Sequence, residues 1–157
     1  MSRLQKFSPK LSEIRIHPLK SGAARQITTT SIDHTGLKDD RRLMVLDKRD
    51  RMITAREHPR LLLVEAWIEP DGIVLMAPGH ATLHIHLPGG EQSRTASIWG
   101  REVIGTPLGP IADDWISDVI RLDARLLAMG PETHNRGRFN FSDAEPVLLA
   151  SQESLND

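Results

Sequence analysis

Apolar and polar residues alternate with a period of two through much of the first hundred positions. In "SEIRIHPL", Ile14 and Ile16 lie on one side of the chain while Glu13, Arg15 and His17 lie on the other, which is typical of a half-buried strand. Segments of this kind are short, and turn residues recur between them. The pattern predicts a mainly β fold, an antiparallel β-barrel or curled sheet closed to protect its edges, with one or two short helices.

Two hairpins are predicted where a pair of apolar runs flanks a polar turn. One pairs "RLMVLD" with "RMITAR" around residues 48–50, and the other breaks "LLLVEAWIEPDGIVLM" at residues 70–72. Further strands are predicted in the segments "RQITTTSI", "ATLHIHL", "SRTASIWG", "REVIGTPL" and "RLLAM".

One segment has the period of a helix instead. Its apolar stripe consists of Ile111, Ala112, Trp115, Ile116, Val119 and Ile120. Pro110 stands at a favourable first position, and Asp113 and Asp114 lie near the positive end of the helix dipole. We expect this helix to pack on the barrel, and "SQESLND" predicts the start of a second helix.

Composition limits the partners that this chain recruits. Twenty Lys and Arg residues nearly balance 21 Asp and Glu residues, so no global field attracts nucleic acid or an anionic membrane, and any anion site must be local. Scarce aromatic residues disfavour stacking platforms for single-stranded nucleic acid. No apolar run reaches the roughly 18 to 20 residues that cross a bilayer, and no signal-peptide core is present, so the expected location is the cytoplasm.

The pair Lys20 and Ser21 is the first candidate for binding chemistry. It follows a predicted strand and precedes Gly22 and two alanines. An ammonium group, a hydroxyl and the backbone N–H groups of a small-residue turn are groups that hold a phosphate. Composition alone nevertheless favours a solvated turn, because no Gly-rich phosphate loop is present.

Arg41 and Arg42 form the second candidate, at the entrance to a predicted strand. Alternation along a strand would send the two guanidinium groups to opposite faces, so at most one reaches a site beside Lys20. The alternative is a local ion pair with Asp39 or Asp40, which contributes little at a surface.

Histidine and serine suggest two other chemistries, which the pattern does not support. His84 and His86 share one face of a predicted strand, but a metal site takes three or four ligands and the spacing supplies no third, so we expect a polar outer face and no metal. His17 is a base candidate for Ser21, yet no orienting acid is marked. No cysteine is present to act as a nucleophile or a metal ligand, and no catalytic residue is predicted.

Taken in order, these segments resemble a known family. "LSEIRIHPLKSGAA" followed by "TGLKDDRRLMVLDKRDRMITAREHPRLLLVEA" is similar to the N-terminal β-barrel domain that precedes the MOSC domain in molybdenum-cofactor proteins. Mitochondrial amidoxime-reducing components and their bacterial relatives belong to that family. "WGREVIGTPLG", "ADDWISDVIRLDARLL" and "FSDAEPVLLASQESLND" continue the resemblance towards the end of the chain.

The resemblance implies a cofactor and the residues that contact it. In that family the first domain holds part of the phosphate of the pterin cofactor, which implies that Lys20, Ser21 and Arg41 bind it. Thr54 and Arg56 match a Thr-x-Arg segment that lies on the cofactor side. The complete proteins reduce N-hydroxylated compounds and take electrons from an external donor.

The resemblance also implies what this chain lacks. The MOSC domain supplies a cysteine sulfur to molybdenum, and no cysteine occurs here. We therefore expect residues 1–129 to form the barrel domain and residues 130–157 a linker and a truncated start of the MOSC domain. On this interpretation the MOSC domain is the missing partner, and the chain alone binds no cofactor and is inactive. The alternative is a stand-alone small barrel that binds an anionic ligand or a protein partner without catalysis.

Overall fold

The computed structural model describes residues 10–86, 93–129, 141–143 and 145–156. The predicted mainly β fold is confirmed, as a curled half-barrel arrangement with two helices. In chain order the elements are β1 Ile14–Ile16, β2 Arg25–Ile27, β3 Ile32–Asp33, β4 Gly36–Leu37, β5 Leu43–Leu46, a 3-10 helix Pro59–Leu63, β6 Glu65–Glu69, β7 Gly72–Met76, β8 Leu83–His86, β9 Arg94–Ile98, β10 Arg101–Pro107, α1 Pro110–Ile120, β11 Arg125–Met129 and α2 Gln152–Asn156.

The named strands pair antiparallel throughout the described residues. The largest sheet has the order β5-β11-β10-β9, and a second sheet has the order β6-β7-β8. Two short ribbons, β1-β2 and β3-β4, complete the set. Between β9 and β10 the chain reverses through Trp99 and Gly100, whose φ angles of 51° and 80° suit a two-residue hairpin turn.

Strand β5 lies between two apolar cores, so all four of its residues are buried. Leu43 and Val45 face the larger core, which α1 and the three-stranded sheet also line. Met44 and Leu46 face a second core on the other side, where Phe141 is 1% exposed. Segment 141–143 therefore packs against the largest sheet, and this packing brings the late part of the chain to the start of β5.

The predicted hairpin at residues 70–72 is confirmed by the pairing of β6 with β7. The hairpin around residues 48–50 is present but shorter than predicted: "RMITAR" forms no named strand, and Met52 makes an antiparallel bridge to Leu46, with the N–H of Ile53 donating to the carbonyl of Val45 at 2.9 Å. The carboxylate of Asp47 closes the predicted turn by accepting hydrogen bonds from the backbone N–H groups of Arg49 and Arg51.

The predicted helix is confirmed as α1, with one difference in its stripe. Ala112, Ile116, Val119 and Ile120 are buried, whereas Ile111 is 73% exposed. Ile111 lies in the first turn, about 100° around the helix from Ala112, and so points away from the core. None of the helices in the described part of the chain is long and apolar enough to span a membrane.

The second predicted helix is confirmed as α2. The hydroxyl of Ser151 accepts a hydrogen bond from the backbone N–H of Ser154 at 3.2 Å, the usual contact of a serine cap. Residues 130–140, the first part of the predicted linker, lie outside the described residues, as does Leu87 of the predicted strand "ATLHIHL".

Candidate anion-binding site

Lys20 is fixed in a buried turn between β1 and β2. Its backbone N–H donates to the carbonyl oxygen of Leu43 at 2.8 Å, and the neighbouring Leu19 is 1% exposed. The whole Lys20 residue is only 4% exposed. Its Nζ donates to Oδ1 of Asp143 at 2.6 Å. A buried ammonium group needs such a partner, since burying an unpaired charge is costly, so Lys20 is not the solvated residue that composition favours.

Arg41 lies just before β5 and not within it, so the premise that strand alternation directs its side chain is wrong. Its φ is 47°, in the left-handed region that a non-glycine residue rarely adopts. Its N–H donates to the carbonyl of His17 at 2.8 Å, and its own carbonyl accepts from the N–H of Phe141 at 3.0 Å. These two bonds hold the left-handed backbone that sets the direction of the guanidinium group.

The Arg41 guanidinium has two partners. Nη2 lies 2.9 Å from Oδ2 of Asp40, the local pairing that the sequence offered as an alternative. Nη2 also donates to the carbonyl oxygen of Pro146 at 2.6 Å. Arg41 therefore belongs both to a local ion pair and to a contact with the late part of the chain.

Trp99 and Arg101 join the same neighbourhood, and the sequence analysis assigned a role to neither. Nε1 of Trp99 donates to Oδ1 of Asp143 at 2.7 Å, so one carboxylate oxygen accepts from both Trp99 and Lys20. Nη2 of Arg101 donates to the carbonyl oxygen of Ser142 at 2.8 Å. In the sequence, the one local feature that could have indicated these two residues is the turn "WGR", in which they flank Gly100.

These charges lie close enough to shift one another's pKa. Burial lowers the pKa of Lys20, and the charges of Arg41 and Arg101 lower it further, while Asp143 opposes the change. Burial tends to raise the pKa of Asp143, but hydrogen bonds from Lys20 and Trp99 outweigh this and lower the pKa. We call Lys20, Arg41, Arg101 and Asp143 the cation cluster. It concentrates positive charge in a chain whose total charge nearly cancels.

Ser21 is not placed as clearly as Lys20. It is half-buried with a left-handed φ of 63°. Among the described residues its hydroxyl makes no contact that ties it to Lys20 or Arg41. Nδ1 of His17 lies 3.1 Å from the carbonyl oxygen of Gly22, so that ring nitrogen is engaged with the backbone and not with Ser21.

Thr54 lines a separate cavity of about 480 Å³. Thr54 is buried, and its hydroxyl donates to Oε2 of Glu57 at 3.3 Å. Trp99 lines this cavity and also contacts the cation cluster through Asp143, so it is common to both places. Arg56 is exposed and lines neither of them in the described structure.

Two buried polar atoms near the cation cluster have no hydrogen-bond partner in the described part of the chain. They are Nε of Arg41 and Oγ of Ser142. An orphaned N–H donor and an orphaned hydroxyl are groups that a bound oxyanion satisfies. The residues present therefore fit an anionic group with several acceptor oxygens.

The histidine pair does not form a metal site within the described residues. His84 and His86 are exposed on β8, as the predicted polar outer face requires. No group of three or more His, Cys, Asp or Glu side chains with metal-binding geometry occurs in residues 10–86, 93–129, 141–143 and 145–156.

The fold and the site define a small curled β domain with a local cluster of cations around one carboxylate. The sequence model of the family described as "MOSC N-terminal beta barrel domain" matches residues 8–123. The chain belongs to this family.

Comparison with curated proteins gives relatives of two kinds. The chain is 26% identical over 174 residues to the bovine "Mitochondrial amidoxime reducing component 2", a match that covers 99% of this chain and 52% of the relative. It is 28% identical to the rat protein of the same name, covering 94% of this chain and 50% of that one. A "Molybdenum cofactor sulfurase" of Drosophila willistoni is 29% identical, covering 98% of this chain and 21% of the relative. The chain thus spans about half the length of the amidoxime-reducing relatives.

A solved structure shares the fold. The solution structure of a protein from Bordetella bronchiseptica superposes with a TM-score of 0.52 and 23% identity, covering 68% of this chain and 92% of that one. At this identity the similarity concerns the fold alone.

Proposed function

We propose that this chain binds the phosphate of molybdenum cofactor, as the N-terminal domain of an oxidoreductase that reduces N-hydroxylated compounds. The observation that carries the proposal is that three cations from separate parts of the chain contact neighbouring late residues: Lys20 binds Asp143, Arg41 binds Pro146 and Arg101 binds Ser142. Membership of the MOSC N-terminal family and the names of the relatives support it.

The chemistry of the cluster favours a phosphate. A phosphate monoester carries a charge of about −1.5 to −2 near pH 7 and presents three acceptor oxygens. A guanidinium group offers a planar fork of donors and an ammonium group a compact charge, and the two together suit a tetrahedral oxyanion. Lys20 and Arg41 would hold the phosphate, Ser21 would add a weaker hydroxyl contact, and Arg101 would add charge.

Thr54 and Arg56 also belong to the proposal, on the cofactor side of the domain. Thr54 lines a cavity with Trp99, and Trp99 contacts Asp143 of the cation cluster, which supports this assignment. Arg56 comes into the proposal through the resemblance of its Thr-x-Arg segment alone.

The remaining parts of the reaction would come from outside this sequence. The cofactor, when bound, supplies the redox-active metal, and a thiolate is the soft ligand that such a metal takes. No cysteine occurs in the chain, so we propose a Cys-bearing MOSC domain as the partner and no activity of this chain alone. We also propose that an external donor supplies the electrons and that the protein is located in the cytoplasm.

Calorimetric titration of the purified chain with inorganic phosphate tests the proposed role. We expect weak binding that decreases as salt is added, because salt screens the attraction between charges that are open to solvent. We expect Lys20→Ala to abolish this binding, because it removes the buried cation of the cluster. Arg49→Ala is the matched control, since it removes one positive charge from an exposed position outside the cluster. Equal loss of binding in both variants would show a nonspecific charge effect, and no binding to the unaltered chain would refute the proposed site.

A further inference from the structure

A tight turn at residues 77–80 connects β7 towards β8. The backbone N–H of His80 donates to the carbonyl oxygen of Ala77 at 3.2 Å. Pro78 stands at the second position of the turn, where its fixed φ is favoured. Gly79 follows with a φ of 77°, close to the value that the third position of a type II turn requires. The Pro-Gly pair therefore sets the position of His80.

Two side chains fasten this turn to α1. Nε2 of His80 lies 3.2 Å from Oδ2 of Asp118. The ring of His80 also meets the ring of Trp115 edge-on, with 6.1 Å between the two centroids. In return, Nε1 of Trp115 donates to the carbonyl oxygen of Ala81 at 2.7 Å. Trp115 packs against the larger core as well, so the turn covers one side of that core.

Both ring nitrogens of His80 face oxygen atoms that only accept hydrogen bonds. Nδ1 lies 3.0 Å from the carbonyl oxygen of Pro78, and Nε2 faces the carboxylate of Asp118. A neutral imidazole has one N–H donor and one acceptor nitrogen, whereas an imidazolium has two donors. Only the protonated ring can therefore make both contacts. The neutral ring would direct a lone pair at one of the two oxygens.

The end of α1 that receives His80 is suited to a cation. Its last turn, residues 117–120, contains no basic side chain. Asp118 lies in that turn, where the helix dipole disfavours a carboxylate and favours a positive charge. Asp114 lies one turn earlier on the same side of α1 and adds negative charge. A protonated His80 thus offsets both the carboxylates and the dipole.

The other elements packed around α1 bring one more charge to this end. Arg60 of the 3-10 helix donates from Nε to a carbonyl oxygen in the last turn of α1 at 2.6 Å. Strand β8 faces the shared core with Leu83 and Ile85, and alternation places His84 and His86 on its opposite, exposed face. Residues 77–82 contain no titratable side chain except His80. Asp118 is therefore the charged group that meets the ring directly.

We propose that His80 is a pH-sensitive clasp, whose protonated ring fastens residues 77–82 to the C-terminal end of α1 and whose neutral ring loosens them. Histidine side chains change charge between about pH 5 and pH 8, so the clasp works in the physiological range. Because the fastened state is the one that holds the proton, the turn is held at low pH and released as the pH rises. Release opens the side of the larger core at Trp115. This inference goes beyond the proposed function, since its groups lie outside the cation cluster.

Hydrogen exchange of the Trp115 indole N–H measures the fastening, because this group donates to Ala81 across the junction. The chain has three tryptophans, and Trp115→Phe assigns the resonance in a ¹⁵N-labelled sample. Exchange rates of a variant and the unaltered chain are compared at the same pH, so the intrinsic pH dependence of exchange cancels. Measurements at about pH 5 and about pH 8 span the range in which histidine changes charge.

Asp118→Ala is the decisive variant, because it removes the partner of Nε2 from an exposed position and introduces a good helix former. At about pH 5 we expect the Trp115 indole to exchange roughly two- to fivefold faster than in the unaltered chain, the scale of an ion pair with one exposed partner. At about pH 8 we expect no acceleration, since the neutral ring has no second donor to lose.

A second histidine provides the matched control. In a His80→Gln background, Asp118→Ala should accelerate exchange at neither pH, because the titrating ring is gone. In a His84→Gln background, which makes the same change on the exposed face of β8, Asp118→Ala should keep its full effect at low pH.

Three results would overturn the clasp. Equal acceleration by Asp118→Ala at both pH values would mean that Asp118 holds the turn regardless of the proton. No acceleration at either pH would mean that the contact with His80 does not fasten the turn. An effect at low pH that persists in the His80→Gln background would assign the proton to another group.

Discussion

Nζ of Lys20 lies 2.6 Å from Oδ1 of Asp143, although the two residues are 123 positions apart in the chain. Lys20 stands in the turn after the first strand, and Asp143 follows Phe141, which is anchored in the second core. The site therefore depends on packing between the start of the sheet and a late segment. A change that releases Phe141 would also release the partner of Lys20.

Phe141→Ala tests this dependence. Phe141 is 1% exposed and packs among the residues of the second core, so its truncation removes buried apolar surface and leaves a cavity. We expect the free energy of unfolding to fall by about 3 to 5 kcal/mol. Urea denaturation followed by circular dichroism measures it. Leu148→Ala is the control, since Leu148 is 86% exposed and its truncation should change the stability little. Equal stability of Phe141→Ala and the unaltered chain would contradict the assigned packing.

Local patterns in the sequence predicted most of the fold. The strands around Ile14 and Ile73 and the helix at Ile116 follow from period and turn residues, which act over a few positions. The turn at residues 48–50 was predicted from its polar residues, but the strand after it is reduced to a bridge between Met52 and Leu46. Alternation does not indicate how far such a pairing extends.

The candidate site was predictable only in part. Resemblance to the family directed attention to Lys20 and Arg41, and the structure brings them to Asp143 and Pro146 respectively. Trp99, Arg101 and Asp143 were missed because their roles arise from long-range packing and a tight turn, which no periodicity records. The direction of Arg41 was argued from a strand, whereas a left-handed residue sets it.

The chain alone should neither retain molybdenum nor reduce an N-hydroxylated compound. It contains no cysteine, so it has no thiolate to offer to the metal. Metal analysis of the purified chain and an assay with a competent electron donor measure the two properties. Addition of a separately produced Cys-bearing MOSC domain is the comparison of interest. Stoichiometric molybdenum in the isolated chain would refute the prediction.

Asp40 should make the stability depend on pH in an unusual direction. Burial raises the pKa of Asp40 above its ordinary 3.8, although the His17 N–H and nearby positive charges oppose the change. Between 3.8 and the raised pKa the folded state binds the proton more tightly than the unfolded state does. As the pH falls through that window, the unaltered chain should therefore gain stability relative to Asp40→Asn.

Asp143 should change the stability with pH in the opposite direction to Asp40. Its pKa is lowered by Lys20 and Trp99, which outweigh burial, so its contribution is present above pH 3.8 and is lost as the pH falls through the lowered pKa. Urea titrations at a series of pH values for Asp40→Asn and Asp143→Asn compare the two carboxylates. Parallel curves for both variants would contradict the assigned shifts.

Arg41 and Arg42 form a matched pair for the last prediction, since they are neighbours of the same charge. Arg41 contacts Asp40 and the carbonyl of Pro146, and its charge lowers the pKa of Lys20. In a cofactor-loaded protein that contains this domain, Arg41→Ala should weaken cofactor retention by roughly 1.5 to 3 kcal/mol, the scale of a hydrogen bond to a charged group. Ser21→Ala should cost less, because a hydroxyl offers a neutral contact, and Arg42→Ala should leave retention unchanged. Retention is measured as the pterin released during dialysis at increasing salt. If Arg42→Ala reduces it and Arg41→Ala does not, the assignment of Arg41 to the phosphate is wrong.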